Sequence, residues 1–286
     1  MYGAQRVIKY LAIAFAVMIM GIILSVLIGV GALLSYITGN VHRAEWGETG
    51  ETVTIAELEE MELPQELDIR IGFANTRIMK GEKFKVETSN EYIKSNQSGN
   101  KLTISEEDHA WPWGDAWWSD GEGEVMIYLP EETLEELRIE MGAGTLEAEA
   151  LRAKTLELDF GAGKSMIGEL VAERSVKVSS GAGLLEINGG SLRDLDFSMG
   201  VGKVVLRSEL LGRSKIDAGL GELNVDLLGR AGQYQLDVDH GLGAVNLNGQ
   251  KFDGEVWGDG ENLVEIDGGV GAVNLRTEGN VVEREG

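Results

Sequence analysis

One tripeptide, Gly-x-Gly, governs the second half of the chain. It occurs as Gly142-Ala143-Gly144, Gly161-Ala162-Gly163, Gly181-Ala182-Gly183, Gly200-Val201-Gly202, Gly219-Leu220-Gly221, Gly241-Leu242-Gly243 and Gly269-Val270-Gly271. Successive first glycines stand 19, 20, 19, 19, 22 and 28 residues apart. Self-similarity at a near-fixed period marks a repeat architecture, in which each unit buries its apolar face only against its neighbours.

The residues leading into each tripeptide alternate. Seven before the second Gly stand Leu137, Leu156, Val176, Leu195, Ser214, Leu236 and Val264, and five before it Ile139, Leu158, Val178, Phe197, Ile216, Val238 and Ile266. Charged or polar residues lie between them, so the approach reads as a strand with one buried and one wet face. Beyond the tripeptide the apolar parity shifts to pairs such as Leu146 and Ala148, Leu185 and Ile187, Val204 and Leu206, and Leu223 and Val225. A shift of parity needs a corner, and glycine permits one because it takes positive φ at little cost. The pattern predicts an all-β, single-stranded parallel β-solenoid (β-helix) of coils of about 20 residues stacked about 4.8 Å apart, with the middle residue of each corner turned inward.

An eighth copy lies upstream, where Leu67, Ile69 and Ile71 lead into Gly72-Phe73-Ala74 and on to Thr76 and Ile78. The solenoid is therefore expected over 67–277, with a segment at 79–130 inserted between its first and second coils as a β-hairpin or irregular coil. Phe84 and Val86, Leu102 and Ile104, and Val125, Ile127 and Leu129 alternate within that insert.

Tyr10 to Thr38 is 29 residues without a charge, longer than the ~20 that span a bilayer. The apolar run is too long for a cleaved signal peptide and lacks an A-x-A-like end. It reads as a transmembrane helix, with 1–9 as a short cytoplasmic N-terminus because Arg6 and Lys9 precede it, 39–66 as a juxtamembrane linker and 278–286 as a C-terminal tail. The expected location is thus the cell membrane, single-pass, with the C-terminal domain extracytoplasmic. All 48 acidic residues and 23 of the 25 Lys and Arg lie beyond that run. So acidic a domain is repelled by nucleic acid and by anionic lipid. With no cysteine, no disulfide braces it.

Four of the six tryptophans, Trp111, Trp113, Trp117 and Trp118, fall within eight residues. They are the candidate recognition element, for a sugar ring, a membrane interface or a protein partner; the structural alternative is a hydrophobic lid on the first coils. Two acidic runs, Asp115, Asp120, Glu122 and Glu124, and Asp253, Glu255, Asp259 and Glu261, match no calcium-loop pattern and read as solvated turns. Asn224, Asn246 and Asn274 share one column and should hydrogen-bond along the stack. His240 occupies the column of Met141, Phe160 and Met199 and reads as a half-buried structural residue. No metal or cofactor site and no nucleophile, phosphate-loop or zinc pattern is present in the sequence. Gly161-Ala162-Gly163-Lys164-Ser165 only mimics the end of a phosphate loop.

An apolar N-terminal run, an opening coil Leu67-x-Ile69-x-Ile71-Gly72-x-Ala74, then Leu102-Thr-Ile-Ser-Glu106 and serial Gly-Ala-Gly coils resemble the adhesin-like Toastrack family of bacterial envelope β-solenoids. The resemblance implies an extracytoplasmic domain, often linked to the envelope-stress systems of Gram-positive bacteria, and carries no catalytic residues. The expected function is a membrane-anchored binding or scaffold protein of the cell envelope, not an enzyme, in adhesion or stress sensing. Its partner would be an envelope protein or cell-wall glycan and its state a monomer. The alternatives are a polysaccharide-active β-helix enzyme using groups such as Lys203 and Arg207, or a solenoid that assembles end to end through the edge of its last coil.

Overall fold

The structure is a computed structural model that describes residues 53–54, 63–90, 92–106 and 123–277. The expected membrane segment at 10–38 and the tryptophans at 111–118 lie outside the described residues. Among those residues no helix is long and apolar enough to cross a membrane. They form an open all-β sheet with one short 3₁₀ turn, Ala231–Gln233.

Coils lie on coils in parallel, as a solenoid-like stack. Glu66–Lys80 pairs with the start of Leu134–Ile187 from Leu67↔Leu137 to Ile78↔Ala148. Leu134–Ile187 winds continuously, and Val176–Ile187 pairs in turn with Leu195–Leu206 at an offset of 19 residues. The next coil, Arg213–Asp217 with Leu220–Leu227, keeps that offset. The period read from the glycines is thus the pairing register. The alternating columns become the core: Leu137, Ile139, Val178, Phe197, Ile216, Leu236 and Val264 are 0–1% exposed. Ser214 also sits in that column, buried, with no hydrogen-bond partner for its hydroxyl among the described residues.

Each middle coil has a third inward side that the two-strand reading missed. Leu170–Ala172 pairs with Gly190–Leu192, and Ser191–Arg193 with Glu209–Leu211. Leu151, Ala153, Leu170, Leu192 and Leu210 are completely buried there. These residues close the coil into a three-sided section and complete the core.

Chain order and stacking order part at both ends. Asn262–Asp267 and Val270–Thr277, last in sequence among the described strands, lie between two earlier coils. They pair with Arg213–Asp217 and Leu220–Leu227 on one side, and with Tyr234–Asp239 and Leu242–Leu247 on the other. The outermost coil is therefore 234–247, and its strands are covered by short antiparallel segments, Val256–Trp257 over Leu236–Asp237 and Gln250–Lys251 over Asn246–Leu247. The last coil in sequence therefore does not end the stack, contrary to what the end-to-end alternative assumed. The 28-residue step from Gly241 to Gly269 contains these covering segments.

The opposite end is built alike. Lys101–Glu106 and Glu124–Leu129 lie outside the first coil, paired in parallel with Glu66–Arg70 and Asn75–Lys80. Ile93–Ser98 and Lys85–Thr88 then cover them in antiparallel. The described residues within 79–130 thus form an outer coil with its cover, not a spacer between the first coil and the second, which pair directly.

Candidate interaction surface

The corners explain their own glycines. At Gly163 φ is +136°, and a Cβ there would stand 2.0 Å from the carbonyl oxygen of Gly144 in the coil below. Gly161 needs no unusual φ, yet a Cβ on it would meet the Gly142 carbonyl oxygen at 2.1 Å. Bare backbone stacked on bare backbone lets the coils turn sharply at hydrogen-bonding distance. The corner glycines 142, 144, 161, 163, 181, 183, 200, 202, 219, 221, 241, 243, 269 and 271 are therefore structural.

The middle residue turns outward. Leu220 is 46%, Val270 47%, Leu242 79% and Phe73 50% exposed, whereas Met141, Phe160 and Met199, two positions earlier, are buried. This corrects the inward assignment: the last inward residue precedes the first Gly, and the middle residue sits on the convex side of the bend. The register places these residues on successive rungs, Phe73 beside Ala143, Ala182 beside Val201, then Leu220, Val270 and Leu242. An apolar ridge thus runs along the corner, half-buried at its alanines and Val201 and exposed at Leu220, Val270 and Leu242 toward the 234–247 end. Sequence reasoning missed it, although the drift from Ala to Val to Leu was a signal, since a packed column holds its volume more nearly constant.

Polar rows flank the ridge. On one side Asp217, Asp267 and Asp239 occupy consecutive rungs. Lys215 reaches Asp217 at 2.9 Å and Asp267 at 3.3 Å. Hydrogen bonding to Lys215 holds the Asp217 carboxyl below the usual carboxylate value. On the other side Asn246 Nδ2 donates to Asn274 Oδ1 and Asn274 Nδ2 to Asn224 Oδ1, each at 2.9 Å. The expected asparagine ladder forms, in the order 224, 274, 246 that the displaced coil imposes.

The remaining candidates scatter. Lys203 pairs with Glu222 at 3.3 Å on the face of its coil. His240 is half-buried, its Nε2 2.8 Å from the Gly254 carbonyl oxygen and its ring stacked on Phe252. Asp253, Glu255, Asp259 and Glu261 are exposed, and among the described residues no group of three His, Cys, Asp or Glu side chains could hold a metal ion. Glu106 stands at the corner of the first coil, where its Oε2 accepts the backbone N–H groups of Gly72 and Phe73 at 2.8 and 2.9 Å.

Solved structures similar to this chain carry low sequence identity. A candidate cell adhesion protein of Clostridium sporogenes is 21% identical over 80% of this chain and 98% of its own, with a TM-score of 0.34. A candidate lipid-binding protein of Parabacteroides distasonis is 14% identical over the same shares, with a TM-score of 0.35. A candidate adhesin of Bacteroides fragilis is 10% identical, again over 80% and 98%, with a TM-score of 0.32. No curated protein matches the chain significantly. The corner glycines, the coil register and the opening coil fall in large part within residues 64–253, which match the Toastrack (DUF4097) family profile, and the chain belongs to that family.

Proposed function

We propose that the chain is a non-enzymatic, adhesin-like binding protein of the cell envelope, held at the membrane by residues 10–38, that presents its corner ridge to a partner outside the cytoplasm. Family membership supports a binding role. The long apolar run with Arg6 and Lys9 before it supports the anchor and its orientation, and a place in envelope-stress sensing rests on the family resemblance. The observation that carries the reading is the row of exposed apolar side chains Leu220, Val270 and Leu242, continued by the half-buried Val201. Contiguous exposed apolar surface on a charged protein marks an interaction site.

A photo-crosslinking residue placed at Leu242 in intact cells tests it, with Glu173, exposed on another side of the coil, as the control. Discrete adducts with an envelope component at position 242 and none at 173 are expected. Equal labelling at both positions, or none at either, would remove the ridge as the binding surface.

A further inference from the structure

The ridge differs along its length. Toward Phe73 its rungs are alanines; at the other end they are Val201, Leu220, Val270 and Leu242, with Ala272 and Ala244 beside the last two. Of the six exposed large hydrophobic residues among the described ones, Leu220, Leu242, Val256 and Val270 all belong to this end. The same end is acidic. Asp217, Asp267 and Asp239 run along one flank of the ridge, with Glu265 and Asp237 behind them on consecutive rungs. The covering segment brings Asp253 and Glu255 past the outermost corner, its backbone bonded at Val238, His240 and Val245. Opposing cations are few and engaged: Lys215 with Asp217 and Asp267, Arg213 with Glu265, Lys251 with Asp253.

We propose that this Val201–Leu220–Val270–Leu242 ridge, with the aspartate row beside it, seats a basic amphipathic helix of a partner protein. The inference rests on the binding role proposed above and names the chemistry of the partner. Apolar rungs recur about every 4.8 Å along the stack, while an amphipathic helix lying along them offers an apolar position about every 5.4 Å turn. Across four rungs the two repeats drift apart by only about 2 Å, so one side chain per turn meets one rung. Lys or Arg on the flank of that helix then lies over Asp217, Asp267 and Asp239, where opposite charge speeds encounter and fixes orientation. A second copy of this chain fits the surface poorly. It would bring a matching acidic row against this one, and the described residues contain no helix long enough to lie along four rungs.

The test uses the full chain in phosphatidylcholine nanodiscs, with empty discs as the blank, and follows the fluorescence anisotropy of a labelled amphipathic Leu-Lys helical peptide. Polylysine and a Leu-Glu peptide of equal length are the comparison probes. The Leu-Lys peptide is expected to bind at least about tenfold more tightly than polylysine, to weaken as salt is raised, and to lose that advantage in the Leu220→Ser, Leu242→Ser double variant. Asp237→Asn with Asp239→Asn should weaken binding without abolishing it. Both positions face outward, and circular dichroism verifies that the variants keep their strand content. Equal affinity for polylysine, tight binding of the Leu-Glu peptide, or an unaltered Leu220→Ser, Leu242→Ser variant would overturn the proposal. So would self-association that the same variant abolishes, since the ridge would then belong to a second copy. Adducts at position 242 in cells together with no peptide binding would sink this partner chemistry and leave the binding role standing; absence of both would sink the two together.

Discussion

At the scale of single residues, adjacent corner positions answer to opposite rules. The Cβ of Gly163→Ala would stand 2.0 Å from backbone of the neighbouring coil at a φ of +136°, and backbone held from both sides has little room to yield. Destabilisation of at least about 3 kcal/mol is expected, read as a fall in Tm. At the equivalent corner the middle residue Leu242 is 79% exposed, so Leu242→Ala should change stability by no more than about 0.5 kcal/mol; similar losses for both would contradict the outward ridge. Asp68 is a different case, a carboxylate 1% exposed that accepts from Arg70 at 2.7 Å and Lys101 at 2.9 Å. Burial alone would raise its pKa, but the hydrogen bonds and charges of Arg70 and Lys101 outweigh it and hold the carboxyl below its ordinary 3.8. A depressed folded-state value means the stabilisation is complete above the unfolded value and is lost as pH falls through the folded one. Asp68→Asn should therefore cost about 1–3 kcal/mol at neutral pH, and the gap from the parent chain should narrow as the pH of a urea titration is lowered below about 4. A gap that stays constant to acid would show that the ion pairs contribute nothing.

At the scale of elements, the displaced coil is what the period could not foretell. Residues 262–277 fill a place between two coils made earlier in the chain, so both neighbours depend on them for hydrogen bonds along one edge. A chain ended at Gly260 should lose the cooperative unfolding of its C-terminal end and aggregate through the strand edges left bare, whereas one ended at Thr277 should melt as the full chain does. Gel filtration and thermal unfolding read the difference. A monomeric Gly260-ended chain with unchanged Tm would mean that the inserted coil adds little. The same arrangement reorders the asparagine ladder to 224, 274, 246 and joins Leu220, Val270 and Leu242 into one ridge.

At the scale of the whole molecule, the two ends of the stack solve one problem in one way. Each outer coil is covered by antiparallel strands, which removes the long free parallel edge through which stacked sheets join one another. Along one outward column the rungs Lys177, Asp196, Lys215 and Glu265 alternate in sign, and Arg138 meets Glu157 at 2.6 Å in the coils before them. Such exposed pairs each contribute little, but along that column the alternation sets opposite charges face to face from rung to rung. Toward the outermost coil, where Glu265 meets Asp237 and Asp267 meets Asp239, the acids beside the ridge outnumber the cations Lys215 and Arg213 that pair with them.

The sequence by itself determined the coil, its length, its register and most of its core. Period-two alternation and glycine spacing are local properties, and a stack of near-identical units repeats one local solution. The corner glycines were legible for the same reason, although their need is as much the contact with the next coil as their own φ. Tertiary structure alone decided which coil follows which, and therefore which side chains share an edge. Identical coils accept one another in any order, so the order is set by connections such as Gln250–Lys251 and Val256–Trp257, whose folding back over the outer coil leaves no periodic trace. The side on which a corner residue lies was likewise settled by the bend itself, because parity on either side of a break cannot say which way the break turns.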